Sequence, residues 1–364
     1  MHTLWAEQAL LPDGWARDVR VDLGADGRIA AVTPDSPACG TRHAVLLPAP
    51  ANLHSHAFQR AMAGLTERRG PDPSDSFWTW RRLMYRFLDR LTPDDVEAIA
   101  ALVQMEMLEA GYATSVEFHY LHHTADGTPH ADLSEMAGRI VAAAWTTGVG
   151  LTLLPVLYQY GGCDARPLGP GQVRFGNDPE RFARLLEGAG RALGALGPDA
   201  VLGVAPHSLR AVSPQALAEI TTGVGPIHMH LAEQTAEVAE VEAALGARPV
   251  RWLLDHADVD PRWCMIHCTQ MLPDETTRLA ATGAVAGLCP ITESSLGDGI
   301  FDGVRWLGAG GRFGVGSDSN IRIALAEELR VLEYSQRLRD RTRAALAARD
   351  ASTGRVLFSG AVSG

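Results

Sequence analysis

The sequence predicts an α/β fold, a parallel (β/α)8 TIM barrel preceded by a small β unit. Three observations lead there. From Val45 onward, eight near-continuous apolar runs of strand length follow one another. Helical stretches with cap signals fall between most of them. Residues able to bind metal or move protons gather at the C-terminal ends of the runs, where a barrel carries its reactive groups. Near-continuous apolar strands belong to a sheet buried on both faces, and eight βα units close on themselves.

Up to about residue 47 the chain reads as short strands with turn signals. Residues 3–11, 19–23 and 29–32 are separated by Pro12-Asp13-Gly14 and Ala25-Asp26-Gly27. Residues 1–47 therefore form one unit and 48–364 the barrel. The barrel strands are expected at 45–53, 113–120, 150–158, 201–206, 226–231, 264–268, 284–288 and 312–316. Thr92-Pro93-Asp94-Asp95 places a cap, a first-turn proline and two acids before "VEAIAALVQMEMLEAG". Asp178-Pro179-Glu180, Ser213-Pro214 and Pro273-Asp274-Glu275 read alike. Residues 65–75, rich in Arg, Pro and Asp, form the most loop-like insertion.

With 364 residues and 46% hydrophobic content, the chain can bury a large core. It shows no secretory leader and no apolar run near the roughly 18 residues of a membrane span, so a cytoplasmic protein is expected. Cys39, Cys163, Cys264, Cys268 and Cys289 are odd in number and lack C-x-x-C spacing, which fits reduced thiols. A formal charge of -11 opposes binding to nucleic acid or anionic membranes. All 32 basic residues are arginine. The absence of lysine excludes a P-loop, a Schiff-base lysine and a lysine-derived carbamate between two metals.

His54 and His56 in "ANLHSHAFQR" end the first barrel strand, on one face. His230 in "IHMHLAEQ" ends the fifth, His267 in "MIHCTQ" the sixth, and Asp318 in "FGVGSDSN" the eighth. Three imidazoles and a carboxylate at one barrel mouth make a shell for one divalent cation, zinc first among the expectations. His228 shares a face with His230 and competes for the role. His230 is preferred because Glu233, three residues on, can overhang bound water as a proton shuttle; the rival role for Glu233 is a helix-start acid. H-E-x-x-H, G-x-S-x-G and nucleobase-deaminase zinc motifs are missing.

These residues resemble the amidohydrolase superfamily in its mononuclear deaminase branch. The segments "NLHSHAFQRAMAGLTE", "FWTWRRLMY", "EFHY", "APHSLRAV", "HMHLAEQ" and "GVGSDSNIRI" are similar to motifs of the formimidoylglutamate deiminase family. The resemblance implies metal ligands at His54, His56, His230 and Asp318, with Glu233 and His267 as catalytic partners beside Asp318. It implies substrate contacts from Gln59, Arg81, Tyr120, His207 and Arg210. Arg210, just past the fourth strand, suits a bidentate grip on a carboxylate. Arg82 rivals Arg81, core packing rivals the pocket role of Tyr120, and Trp78 and Trp80 read as loop packing. The resemblance further implies a homodimer, and an N-terminal unit that belongs to a β-sandwich. Family members continue past "RVLFSGAVSG" with strands that complete that sandwich, so those strands are expected to be absent, leaving exposed edges.

The implied reaction is hydrolytic deimination of N-formimino-L-glutamate to N-formyl-L-glutamate and ammonia in histidine degradation. Asp318 and Glu233 would move protons, His267 would polarise the tetrahedral centre, Gln59 would orient the amidine head and the arginines would hold the carboxylates. Two alternatives stay open: a deaminase of guanine or a related heterocycle, and a non-catalytic metal-binding barrel.

Overall fold

The computed structural model describes residues 2–66, 77–223 and 225–364. Most of the 65–75 loop and the Trp78 side chain fall outside the described residues. The chain divides into two compact units, Met1–Ala49 and Pro50–Gly364.

The first unit is a four-stranded sheet in the order β3-β2-β1-β4. Its strands are β1 (His2–Leu11), β2 (Gly14–Leu23), β3 (Ile29–Thr33) and β4 (Thr41–Leu46). Pro12-Asp13 turns β1 into β2, where Leu11 faces Gly14. Ala9, Val19 and Val21 form its small core.

The expected first barrel strand, residues 45–53, is two strands. Thr41–Leu46 pairs parallel with β1, and the barrel begins with β5 at Ala51–Ser55. Pro48 and Pro50 lie between them, and a proline has no N–H to give a central ladder.

The barrel continues through β6 (Thr114–His119), β7 (Gly150–Leu157), β8 (Val201–Leu202), β9 (Ala205–Pro206), β10 (Ile227–Leu231), β11 (Trp263–His267), β12 (Val285–Leu288) and β13 (Arg312–Val315). Two parallel arcs, β5-β6-β7-β8 and β10-β11-β12-β13, are joined by bridges Ser55↔Asp318 and Val204↔Ile227. The fourth barrel position is split into β8 and β9 at Gly203, where an added Cβ would lie 2.4 Å from the carbonyl oxygen of Pro226. Only glycine lets the backbones approach so closely.

Helices α1 (Phe77–Leu88), α2 (Pro93–Glu109), α3 (Glu135–Thr147), α4 (Pro179–Leu193), α5 (Pro214–Ile220) and α6 (Thr235–Leu245) punctuate the first half. They are followed by α7 (Pro249–His256), α8 (Pro273–Ala281), α9 (Pro290–Leu296), α10 (Gly303–Gly308), α11 (Leu325–Asp340) and α12 (Thr353–Ser363). Thr92 and Asp95 close a capping box on α2, while Asp178 and Ser213 cap α4 and α5. The core between strands and helices holds Val103, Met107, Phe118, Leu151, Met265, Ile266 and Val315. No described helix is long and apolar enough to cross a membrane.

Candidate active site

His54 lies in β5 with His56 just past its end, His230 lies in β10, and Asp318 follows β13. The first and last barrel strands are tied at this level. His56 N–H donates to the Asp318 carbonyl, and Asp318 N–H to that of His54, both at 2.9 Å. Below them, Asn52, Ser317 and Asn320 form a buried hydrogen-bond network that includes Ser55. A Cβ at position 316 would come within 2.5 Å of the His54 nitrogen, so Gly316 permits the closure.

Two of the three imidazoles have their inner nitrogen identified by the outer one. Nδ1 of His56 donates to the Phe118 carbonyl at 3.0 Å, and Nδ1 of His230 to that of His207 at 3.1 Å. Their Nε2 atoms therefore carry lone pairs. Both sit 3.1 Å from His54 Nε2. Asp318 Oδ1 lies 3.4 Å from His54 Nε2 and 3.3 Å from His56 Nε2. One hydrogen on His54 cannot satisfy all these acceptors. Burial lowers the pKa of each imidazole and keeps it neutral, and for His56 Asp318 opposes that shift. More acceptor atoms than protons at one point suit a divalent cation, and the group could hold a metal ion. His228 is buried but is not part of this group.

Glu233 follows β10 on a turn held from beneath. The Glu237 carboxylate accepts the N–H groups of Ala232, Glu233 and Gln234 at 3.2, 2.8 and 3.4 Å. Burial pushes the Glu233 carboxyl up to about 7, against the pull of His267. His267 ends β11, with Nε2 3.9 Å from Glu233 Oε1 and 4.0 Å from Asp318 Oδ2. Burial disfavours its charged form, but Glu233, Glu293 and Asp318 outweigh that and push it up to about 10. His267, Cys268, Asp318 and Asn320 all have positive φ, between 46° and 70°. Left-handed backbone is uncommon outside glycine, although His, Asp and Asn adopt it more readily than Cys, and it recurs where a rim must aim side chains.

A cavity of about 550 Å³, its open mouth included, joins these groups. His56, His230, Glu233, His267 and Asp318 line it, and so do Gln59, Arg81, Tyr120, His207 and Arg210. Gln59 Nε2 donates to Tyr120 Oη at 2.8 Å. The Tyr120 ring also packs edge-on against Phe58 and Phe175, so it belongs to the core while lining the cavity. Arg81 faces the cavity, whereas Arg82 is exposed. Trp80 is a correction: it stands on α1, not in a loop, and lines the cavity with Met84.

Tyr158, Phe175, Leu296 and Glu293 were not singled out from the sequence. Tyr158 follows β7, so the strand-end rule that found the histidines would have found it too. Glu293 lies in the first turn of α9 and reads as an ordinary helix-start acid.

Residues 45–353 match the model of the Amidohydrolase family, and residues 1–43 that of the Formimidoylglutamate deiminase HutF N-terminal domain. A curated formimidoylglutamate deiminase from Pseudomonas aeruginosa is 49% identical over 370 residues, covering all of this chain and 81% of the relative. The chain belongs to the amidohydrolase family, in its formimidoylglutamate deiminase branch. Among solved structures, an amidohydrolase from Brucella melitensis has 55% identity and a TM-score of 0.97, covering all of this chain and 81% of that one. An adenosine deaminase from Xanthomonas campestris with bound zinc shares the amidohydrolase fold at 20% identity and a TM-score of 0.77, covering 99% of this chain and 80% of its own.

Proposed function

We propose that this amidohydrolase hydrolyses N-formimino-L-glutamate to N-formyl-L-glutamate and ammonia in histidine degradation, with one Zn2+ held by His54, His56, His230 and Asp318. The reading places catalysis in residues 48–364, gives residues 1–47 to a β-sandwich, and takes the working protein to be a cytoplasmic homodimer. The observation that carries it is the position of Glu233 and His267 beside the converging histidine nitrogens, on the same cavity as Arg81 and Arg210. The 49% identity to a formimidoylglutamate deiminase supports the same substrate.

When bound, the cation supplies Lewis acidity toward a water and toward the amidine. The chain's own groups do the rest. Gln59 orients the formimino head, while Arg81 and Arg210 hold the carboxylates, with His207 and Tyr120 closing the walls. Glu233 takes the first proton of the attacking water, and Asp318 accepts the second as the oxygen adds to the formimino carbon. Glu233 passes a proton to the departing nitrogen, the C–N bond breaks and ammonia leaves. His267 hydrogen-bonds the tetrahedral centre between them. Acids at one end and arginines at the other match a substrate with a cationic head and anionic tail.

Ammonia release measured on N-formimino-L-glutamate beside guanine tests the reading. Turnover of the former alone supports it, and turnover of guanine alone ends it.

A further inference from the structure

We propose that the Tyr158 hydroxyl is a carboxylate-binding donor that makes an acidic tail a requirement for this site. The inference rests on the reading just given and adds a specificity residue to it.

Tyr158 lines the cavity beside Arg81, His207 and Arg210, with its side chain buried. Its oxygen accepts two hydrogen bonds, from Arg81 Nη2 at 3.0 Å and from Gln172 Nε2 at 2.8 Å. The Gln172 amide is oriented by its other end, because its Oε1 accepts the Gly169 N–H at 2.9 Å. A phenol has one hydrogen to donate beyond what its oxygen accepts. With the oxygen committed to a guanidinium and an amide, only the hydrogen remains, and among the described residues no hydrogen-bond acceptor for it is found. The ring is held in place by His207, with centroids 4.5 Å apart, and by Phe175 at 5.6 Å.

The hydroxyl is therefore a preorganised donor in a wall that already carries positive charge. A guanidinium on the phenol oxygen polarises the O–H bond and strengthens its donation. The partner that fits is an anionic oxygen, for which an O–H donor forms a short, charge-assisted bond. A carboxylate supplies it; a neutral amide supplies a weaker acceptor, and a purine edge no charge.

Tyr158→Phe keeps the ring and removes the donor. Steady-state kinetics of both proteins would be measured on N-formimino-L-glutamate and on its two monoamides, each with one carboxylate neutralised. The variant should lose about tenfold to hundredfold in kcat/KM on the diacid, chiefly through KM, as expected for one hydrogen bond to a charged group. That loss should persist on one monoamide and vanish on the other. Equal losses on all three compounds, or no loss on the diacid, would overturn the assignment. Calorimetric binding of N-formyl-L-glutamate separates this idea from the reaction itself. Weaker binding by Tyr158→Phe, in a wild type that does not turn over the diacid, keeps the donor and removes the reaction. Equal binding by the two proteins removes the donor.

Discussion

Glu293 Oε1 accepts from His267 Nδ1 at 3.3 Å, and the same oxygen accepts the Cys289 N–H at 2.8 Å. One carboxylate oxygen thus fixes both the start of α9 and the outer nitrogen of the imidazole that faces Glu233. A glutamine would keep its amide oxygen in that place, since the Cys289 N–H orients it. Glu293→Gln should retain most of kcat. Glu293→Leu leaves Nδ1 without its acceptor and should lower kcat about tenfold to hundredfold, the usual cost of losing a partner that orients a functional histidine. Equal kcat in the two variants would mean that the contact does not position His267.

Glu233→Gln keeps the size of the side chain and removes its proton-accepting capacity. Turnover should fall by roughly two to four orders of magnitude, while metal content by elemental analysis stays at the wild-type level. Undiminished turnover would take Glu233 out of the reaction.

The pH dependence follows from the state Glu233 must be in. To take a proton from water it must be ionised, so activity falls as pH drops through its pKa, which burial pushes up to about 7. A nearby divalent cation favours the ionised form and moves the limb downward. The acid limb of kcat/KM should therefore be centred no higher than about pH 7. A profile whose acid limb lies well above that value would contradict the assignment.

Removing the metal should destabilise the fold as well as stop the reaction. Nε2 of His54 stands 3.1 Å from those of His56 and His230, and one proton on His54 cannot join both. A ligand at about a thousand times its Kd adds about 4 kcal/mol to folding stability. Chelation should lower the melting temperature by several degrees, and Zn2+ should restore it. An unchanged melting temperature would mean that no cation contributes there.

The barrel was legible because its strands are apolar on both faces and its helices are capped by local signals such as Thr92 with Asp95. The four candidate ligands were legible because strand ends share one mouth whatever lies between them in sequence. Less local features escaped. The split between Leu46 and Ala51 depends on which sheet each half pairs with, although Pro48 and Pro50 marked it. The fourth strand breaks because Pro226 crowds Gly203 from a distant element. The roles of Glu237 and Glu293 are set by what folds over them, backbone N–H groups in one case and an imidazole in the other, and a single sequence shows neither. Trp80 was misplaced because its aromatic, arginine-rich surroundings carry no strong cap signal, yet they form α1.

The measurement closest to the central claim is a crystal structure of the protein as purified, with anomalous diffraction recorded at the absorption edge of the metal found by elemental analysis. The account predicts one strong peak per chain, about 2.0 to 2.2 Å from the Nε2 atoms of His54, His56 and His230 and from an Asp318 carboxylate oxygen. A peak elsewhere, or an active enzyme with no metal at those four side chains, would contradict it.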